Sequence, residues 1–326
     1  MVKDNEILEL DVLDKKILSE LNNEVRLSLT SIAKKSRSSK EVVHYRIQRL
    51  LEKGIIKEFI TIFGFGYWAY KIILQFQNID SDEEQTVVEY LVNQPYTNFV
   101  TPCSGNWDMV LAVMAKNPVH LEQILREMMG HIGKYLHDYK VAVSVGGHTF
   151  GHTYLLKRVK ESVSKRRNDP LQLDYDDKDA KIARIIRNNA RAKLTEINRK
   201  TGIPVDTIKY RLKKMEEKAI IKRYRLILDS SKLGYDRYEI FIRCPDLSEA
   251  LIAKFLEYAK RNAHVEYLGR YVGSWDFTLT VHLKNSADLR EFVLDMKKEF
   301  GKHIQNFESV TLFSTQKYTY LPEELR

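Results

Sequence analysis

Apolar positions in the first sixty residues recur at helical spacing in three short runs. Ile17, Leu18 and Leu21 form one stripe, Leu29, Ile32 and Ala33 a second, and Val43, Ile47 and Leu50 a third, at i, i+4 and i+7. Ser38-Ser39-Lys40-Glu41 is a Ser-x-x-Glu arrangement suited to satisfying free N–H groups at the start of the third helix. Gly54 stands where a left-handed residue ends a helix at little cost. After it, IIKEFITI reads as a short wing strand. From residue 69 the period shortens. Strand-like runs (AYKIILQF, NFVTPCSG, MVLAVMA, YKVAVSV) alternate with helical ones (DEEQTVVEYLVNQ, VHLEQILREMMGHIG), and HTFGHTYL reads as a further strand. The order βαββαβ is ferredoxin-like.

The pattern then repeats. RLSLTSIAKK from Arg26 matches RAKLTEINRK from Arg191, a shift of 165 that also carries Asp14 to Asp179 and Tyr45-Arg46 to Tyr210-Arg211. Past Ile60 the shift becomes 168, mapping Gly105-Asn106-Trp107-Asp108 onto Gly273-Ser274-Trp275-Asp276 and Gly133-Lys134 onto Gly301-Lys302. One three-residue length change accounts for every match, so the chain is a duplicated two-domain unit. The expected organisation is α+β: a winged helix-turn-helix over 1–62, a ferredoxin-like sensor over 63–156, a basic linker over 157–173, a second helix-turn-helix over 174–228 and a second sensor over 229–326. The second copy has Pro204 in place of Ser39 and Ala219 in place of Gly54, so its third helix is less well capped.

Charge changes the picture where it is unevenly spread. The net charge of +9 divides into +2, −4, +4, +8 and −1 over those five segments, so the excess lies in the linker and the second helix-turn-helix. On the third helix of the first unit the face opposite the apolar stripe carries Ser38, Ser39, Lys40, His44, Tyr45, Arg46, Gln48 and Arg49. The second unit presents Lys209, Tyr210, Arg211, Lys213 and Lys214. Cations and hydrogen-bonding side chains on the last helix of a trihelical module suit base edges and phosphates of the major groove. Double-stranded DNA is the expected partner. The second copy should supply most of the salt-dependent affinity and the first more of the specificity. A sensor that has lost DNA binding is disfavoured by the +8 of the second module.

Leu10–Leu18 (LDxxDxxIL), Ile32-Ala33, Arg46–Leu50 (RIxxL), Gly54–Ile56 (GII) and the Gly-x-aromatic-Asp element in each sensor together resemble the Lrp/AsnC, or feast/famine, family of regulators. The resemblance covers nearly the whole chain twice. It implies a helix-turn-helix that reads operator DNA and a sensor that pairs through its sheet and often binds an amino acid or related small effector. Carried over, Gly105, Trp107, Asp108, Gly273, Trp275 and Asp276 fall on the family's turn near the effector pocket, with Trp where Tyr is usual. Self-association is expected through the sensors, as an intramolecular pseudo-dimer or as two chains pairing like with like. Siroheme decarboxylases resemble the same regulators and are the alternative, requiring a histidine and arginines in the sensor cleft; His264 and Arg270 lie in that region. No nucleophile–base arrangement or phosphate-cradling loop argues for catalysis. His148 and His152 make a weak metal pair, and Cys103 and Cys244 no zinc site, so neither metal nor cofactor is expected. No signal segment or apolar run long enough for a membrane span occurs, and the expected location is cytoplasmic.

Overall fold

A computed structural model describes residues 7–155, 166–167 and 175–321. The first trihelical head comprises α1 (Val12–Asn23), α2 (Leu29–Ser36) and α3 (Lys40–Glu52). Each helix starts where a side-chain oxygen takes up a free amide: Asp11 caps α1, Ser28 caps α2 and Ser39 caps α3. The cap of α3 is therefore Ser39, accepting from Val42 N–H, and not the Ser38–Glu41 pairing that the spacing suggested. Gly54 closes the head at φ +66°. Strand β1 (Ile56–Phe63) follows, and then the first sensor: β2 (Trp68–Phe76), α4 (Ser81–Asn93), β3 (Thr97–Ser104), β4 (Met109–Ala115), α5 (Pro118–Ile132) and β5 (Leu136–Thr149). HTFGHTYL is not a separate strand; β5 runs into it and ends at Thr149. The expected linker lies outside the described residues except for β6 (Arg166–Arg167), which pairs with β5.

The second copy repeats the plan with α6 (Asp177–Ile186), α7 (Leu194–Thr201), α8 (Val205–Glu217), β7 (Ile221–Leu228), β8 (Asp236–Arg243), α9 (Glu249–Arg261), β9 (Val265–Gly273), β10 (Phe277–Leu283), α10 (Ser286–Phe300) and β11 (Asn306–Leu312); a two-residue β12 (Lys317–Tyr318) follows. Pro204 sits at the N-cap of α8, one residue before the first helical position, and offers no side-chain acceptor. Ala219 adopts φ +54° where its counterpart is Gly54.

The two copies are joined into one body. The sensor strands run β11-β8-β10-β9-β5-β2-β4-β3, and β3 pairs again with β11, so eight strands close into a barrel. Apolar side chains fill it: Ile73, Trp107, Val110, Phe241, Trp275 and Val310 form an inner core. The other strand faces bury against helices, α4 and α5 over one half and α9 and α10 over the other. IIKEFITI and its counterpart IIKRYRLI are the strands that lead from each head into its sensor. They pair with each other, β1 against β7, in a ribbon between the heads. Each head also borrows apolar residues from the other copy: Leu226, Leu228 and Leu233 enter the first core, Phe63 and Phe65 the second.

A pseudo-two-fold axis relates the copies, and contacts between equivalent positions mark it. Arg26 donates to the Ala190 carbonyl at 2.6 Å, and its counterpart Arg191 donates back to the Val25 carbonyl. Two other pairs of equivalents have diverged in sign. Lys71 pairs with Glu239, and Lys140 with Glu308 at 2.6 Å. In a dimer of identical units each would be a Lys–Lys or Glu–Glu contact. Among the described residues the two sensor sheets pair with each other within one chain.

Candidate nucleic-acid interface and central cavity

Burial decides which faces of α3 and α8 are free. Val43, Ile47 and Leu50 point into the first head, and Ile208, Leu212 and Met215 into the second. The outward face of α3 shows Ser39, Lys40, His44, Tyr45 and Gln48 exposed, with Ser38 half-buried; that of α8 shows Lys209, Tyr210 and Lys213 exposed, with Lys214 half-buried. The equivalents Tyr45 and Tyr210 stand 63% and 65% exposed, an unusual setting for large aromatic side chains unless a partner covers them.

The arginines of these faces are held differently. Arg46 pairs with Asp11 and with buried Asp14 at 3.2 Å, and Arg49 takes the other Asp14 oxygen at 2.5 Å. In the second head Arg211 bridges Asp176 at 2.6 Å and Asp179 at 3.0 Å. Asp14 and Asp179 lie in the first helix of each head, and Asp11 and Asp176 cap its start. Amides of the helix start together with Arg46 hold the Asp11 carboxyl below its usual range, and Arg211 does the same for Asp176. The buried Asp14 and Asp179 fix the last helix to the first, so these arginines orient the reading helix through ion pairs.

The Gly-x-Trp-Asp turns lie at the seams between copies. Asp108 accepts from Phe76 N–H at 2.7 Å and Asp276 from Cys244 N–H at 2.8 Å, closing each β-hairpin against its neighbouring strand. Trp107 and Trp275 are buried in the barrel, Trp107 donating to Glu308 at 2.5 Å. Gly105 and Gly273 have φ of +132° and +138°, and a Cβ on Gly273 would stand 2.6 Å from the Val141 carbonyl of the other copy. The glycines let backbones of the two copies meet.

A cavity of about 470 Å³ opens where the wing ribbon meets one mouth of the barrel. None of the six turn residues lines it. Its wall holds His152, Arg225, Arg237, Glu239, Glu266 and His282, none of which the sequence singled out except His152, and that for metal. Glu266 joins Arg225 on one oxygen and His282 on the other, the latter at 2.7 Å. Burial works against the Glu266 carboxylate, but Arg225 and the two histidines hold it well below the usual range. Burial pushes His152 down to about 4 and lowers His282, so both are neutral near pH 7. Tyr154 stacks on His282 with ring centroids 4.2 Å apart. His264 and Arg270 do not line the cavity. His148 lies within β5 and His152 beyond its end, so helical spacing does not apply to them. Among the described residues no three His, Cys, Asp or Glu side chains are grouped to hold a metal ion. The signal for the cavity was present in the repeat: comparing equivalents shows Ala69 opposite Arg237 and Met114 opposite His282.

Two trihelical heads, a shared wing and paired sensor sheets define a winged helix-turn-helix protein in duplicate, and residues 10–57 and 175–222 each match the family described as winged helix-turn-helix DNA-binding. A Pyrococcus horikoshii protein named as an uncharacterised HTH-type transcriptional regulator is 33% identical over 131 residues, spanning 37% of this chain and 86% of the relative. The siroheme decarboxylase NirDL shares the fold of the whole chain, with a TM-score of 0.64 at 12% identity over 95% of this chain and 94% of that one. An AsnC family transcriptional regulator from Agrobacterium tumefaciens aligns at a TM-score of 0.38 and 21% identity, over 41% of this chain and 90% of its own. The chain belongs to the family of winged helix-turn-helix, HTH-type transcriptional regulators that these relatives represent, in a tandem form. No described helix is long and apolar enough to cross a membrane.

Proposed function

We propose that one chain binds a single stretch of double-stranded DNA with both heads, as an intramolecular counterpart of a dimeric regulator. The observation that carries this is the pairing of β1 with β7, which ties the two heads together about the pseudo-two-fold axis with α3 and α8 equivalent in each. Paired reading helices favour half-sites separated by about 10 bp or a multiple of it. Because α3 and α8 differ, the half-sites should differ too. Exposed Lys209 and Lys213 suit phosphates, whereas Ser39, His44 and Gln48 suit base edges. Selection from random duplexes tests this. Two related but unequal half-sites at that spacing are expected; a single short site would refute it. Alanine at Lys209 and Lys213 together should weaken all duplexes and reduce the salt slope by about 2, roughly 0.9 per phosphate contact. Gln48→Ala should instead shift site preference.

A second reading has one observation in its favour: the cavity contains histidines and arginines, on a fold shared with the siroheme decarboxylase NirDL. Against it, three of the four lining cations are already matched by carboxylates, Lys57 by Asp229, Lys71 by Glu239 and Arg225 by Glu266. Little charge is left for a polycarboxylate macrocycle. Turnover of siroheme to a decarboxylated product by the purified chain would decide for the enzyme.

A further inference from the structure

Burying a polar side chain where an apolar one is available costs free energy unless it meets a partner. The duplication makes that comparison within one chain. Around the cavity the second copy carries Arg225, Arg237, Thr280 and His282, where the first carries Ile60, Ala69, Ala112 and Met114. The apolar set is compatible with the fold, since the first copy uses it. The polar set faces a cavity whose volume, about 470 Å³, lies within the range of roughly 300–1,000 Å³ found for small-molecule sites.

The charge of the wall narrows the ligand. Arg237 has no carboxylate partner among the described residues; it donates to the Thr315 hydroxyl at 2.7 Å and the Phe313 carbonyl at 3.4 Å. Both belong to the segment that interrupts the pairing of the second copy with β3, between Leu312 and Lys317. A carboxylate would replace these neutral acceptors with a charge-assisted, bidentate contact of about twice the strength. Two further lining carboxylates take neutral donors, Glu58 from the Asn188 amide at 3.0 Å and Asp236 from the Tyr238 hydroxyl at 3.3 Å, which leaves Arg237 as the lining cation able to receive one negative charge. Aromatic side chains, Phe99, Tyr267, Tyr271, Tyr318 and Tyr320 among them, share the wall with polar ones such as Asn98, Ser144 and Gln316, and Phe99 stands edge-on to Tyr318 at 5.5 Å. Wing residues Lys57 and Arg225, and Asp229 just past β7, also line it, and only three residues separate α3 from β1 and α8 from β7.

We propose that this cavity binds a small aromatic monocarboxylate, its carboxylate on Arg237 and its ring among Phe99, Tyr267 and Tyr318, and that occupancy reaches the DNA-reading helices through the wing ribbon. The coupling to DNA rests on the regulator function proposed above; the ligand site does not. Contacts to the wing give the ligand a route to favour one disposition of the heads, and linkage then makes DNA and ligand alter each other's affinity by the same factor.

Calorimetric titration of the full chain with benzoate, 4-hydroxyphenylacetate and indole-3-acetate tests the site. At least one should bind, and the corresponding amide should bind at least tenfold more weakly, about 1.4 kcal/mol. Arg237→Ala, which installs the residue already present at position 69, should cause a similar loss with an unchanged near-UV circular dichroism spectrum. Arg290→Ala, at an exposed position of α10, should leave binding unaltered. No heat from any of the three, or equal binding of the amides, overturns the site. So does saturation by uroporphyrin III with no response to the monocarboxylates, which would give the cavity to a macrocycle. Ligand binding that leaves the affinity for a selected duplex unchanged overturns the coupling alone. Failure to select any duplex overturns the regulator function and leaves the ligand site standing.

Discussion

The two seams that close the barrel are equivalent by the pseudo-symmetry of the chain and yet are built differently. Strand β5 pairs with β9 from Ala142 to Thr149, interrupted only by a bulge. Its counterpart β11 pairs with β3 at only two positions, Thr311 and Leu312, before β12 resumes the contact at Lys317 and Tyr318. The continuous seam holds the copies together. At the broken one the chain bows away at Ser314 and Thr315, between backbone bonds from Phe313 to Pro102 and from Gln316 to Val100, and all four residues line the cavity. A dimer of identical chains must repeat any opening on both sides, whereas a duplicated chain can keep one seam intact and modify the other.

The axial ion pairs offer the strongest way to break that arrangement. Lys71 and Glu239 are nearly buried, and removing one partner of such a pair typically costs about 3–5 kcal/mol. Lys71→Glu should lower the denaturation midpoint by that scale, and the exchange Lys71→Glu with Glu239→Lys should recover most of it. A double variant no more stable than the single one would show that the pairing of signs is not what matters.

Next in size are the glycines of the two seams. Alanine at Gly273 meets backbone of β5 at 2.6 Å, whereas at Gly105 the nearest atom, the Ser309 carbonyl, is 3.1 Å away. With unfavourable φ in both, Gly273→Ala should cost about 3 kcal/mol and Gly105→Ala about 1–2 kcal/mol. Equal losses in urea unfolding would mean that the continuous seam is no tighter than the broken one.

Acid distinguishes the seams as well. His152, beyond the end of β5, corresponds to Tyr320 beyond β12, so the continuous seam alone carries a histidine at this position. Burial depresses its folded value to about 4, below the unfolded value near 6.5. The unfolded chain therefore binds the proton first, so stability is retained above pH 6.5 and declines as pH falls toward 4. The loss reaches about 3 kcal/mol at the lower end. His152→Gln should flatten this part of the stability profile; an unchanged slope would assign it to other groups.

The smallest effect concerns the heads. Ala219 holds the left-handed conformation that Gly54 adopts in the first copy, so Ala219→Gly should stabilise by about 0.5–1 kcal/mol and Gly54→Ala destabilise by a similar amount. Thermal melts that move the same way for both substitutions would contradict the equivalence of the two helix ends.

The duplication, the helices of both heads and the βαββαβ order were legible because they rest on local periodicity and on self-similarity. What was illegible is nonlocal. Nothing in IIKEFITI says that its partner strand lies 165 residues away. That Asp14 and Asp179 of the first helices lie beneath Arg46 and Arg211 is likewise invisible before the helices are packed. The cavity was hidden because Arg237, Glu266 and His282 are spread over three strands of the second copy and meet the first only through the closed barrel. Contrasting equivalents, rather than seeking what they share, would have brought them out.

Lys71–Glu239 and Lys140–Glu308 also bear on how the protein responds to its own abundance. A regulator assembled from free subunits loses its DNA-binding form with the square of concentration when copies are few. Here each half is matched in charge to the other half of the same chain, at an effective concentration set by covalent linkage. Operator occupancy is then expected to rise linearly with the number of chains, with no threshold at low expression.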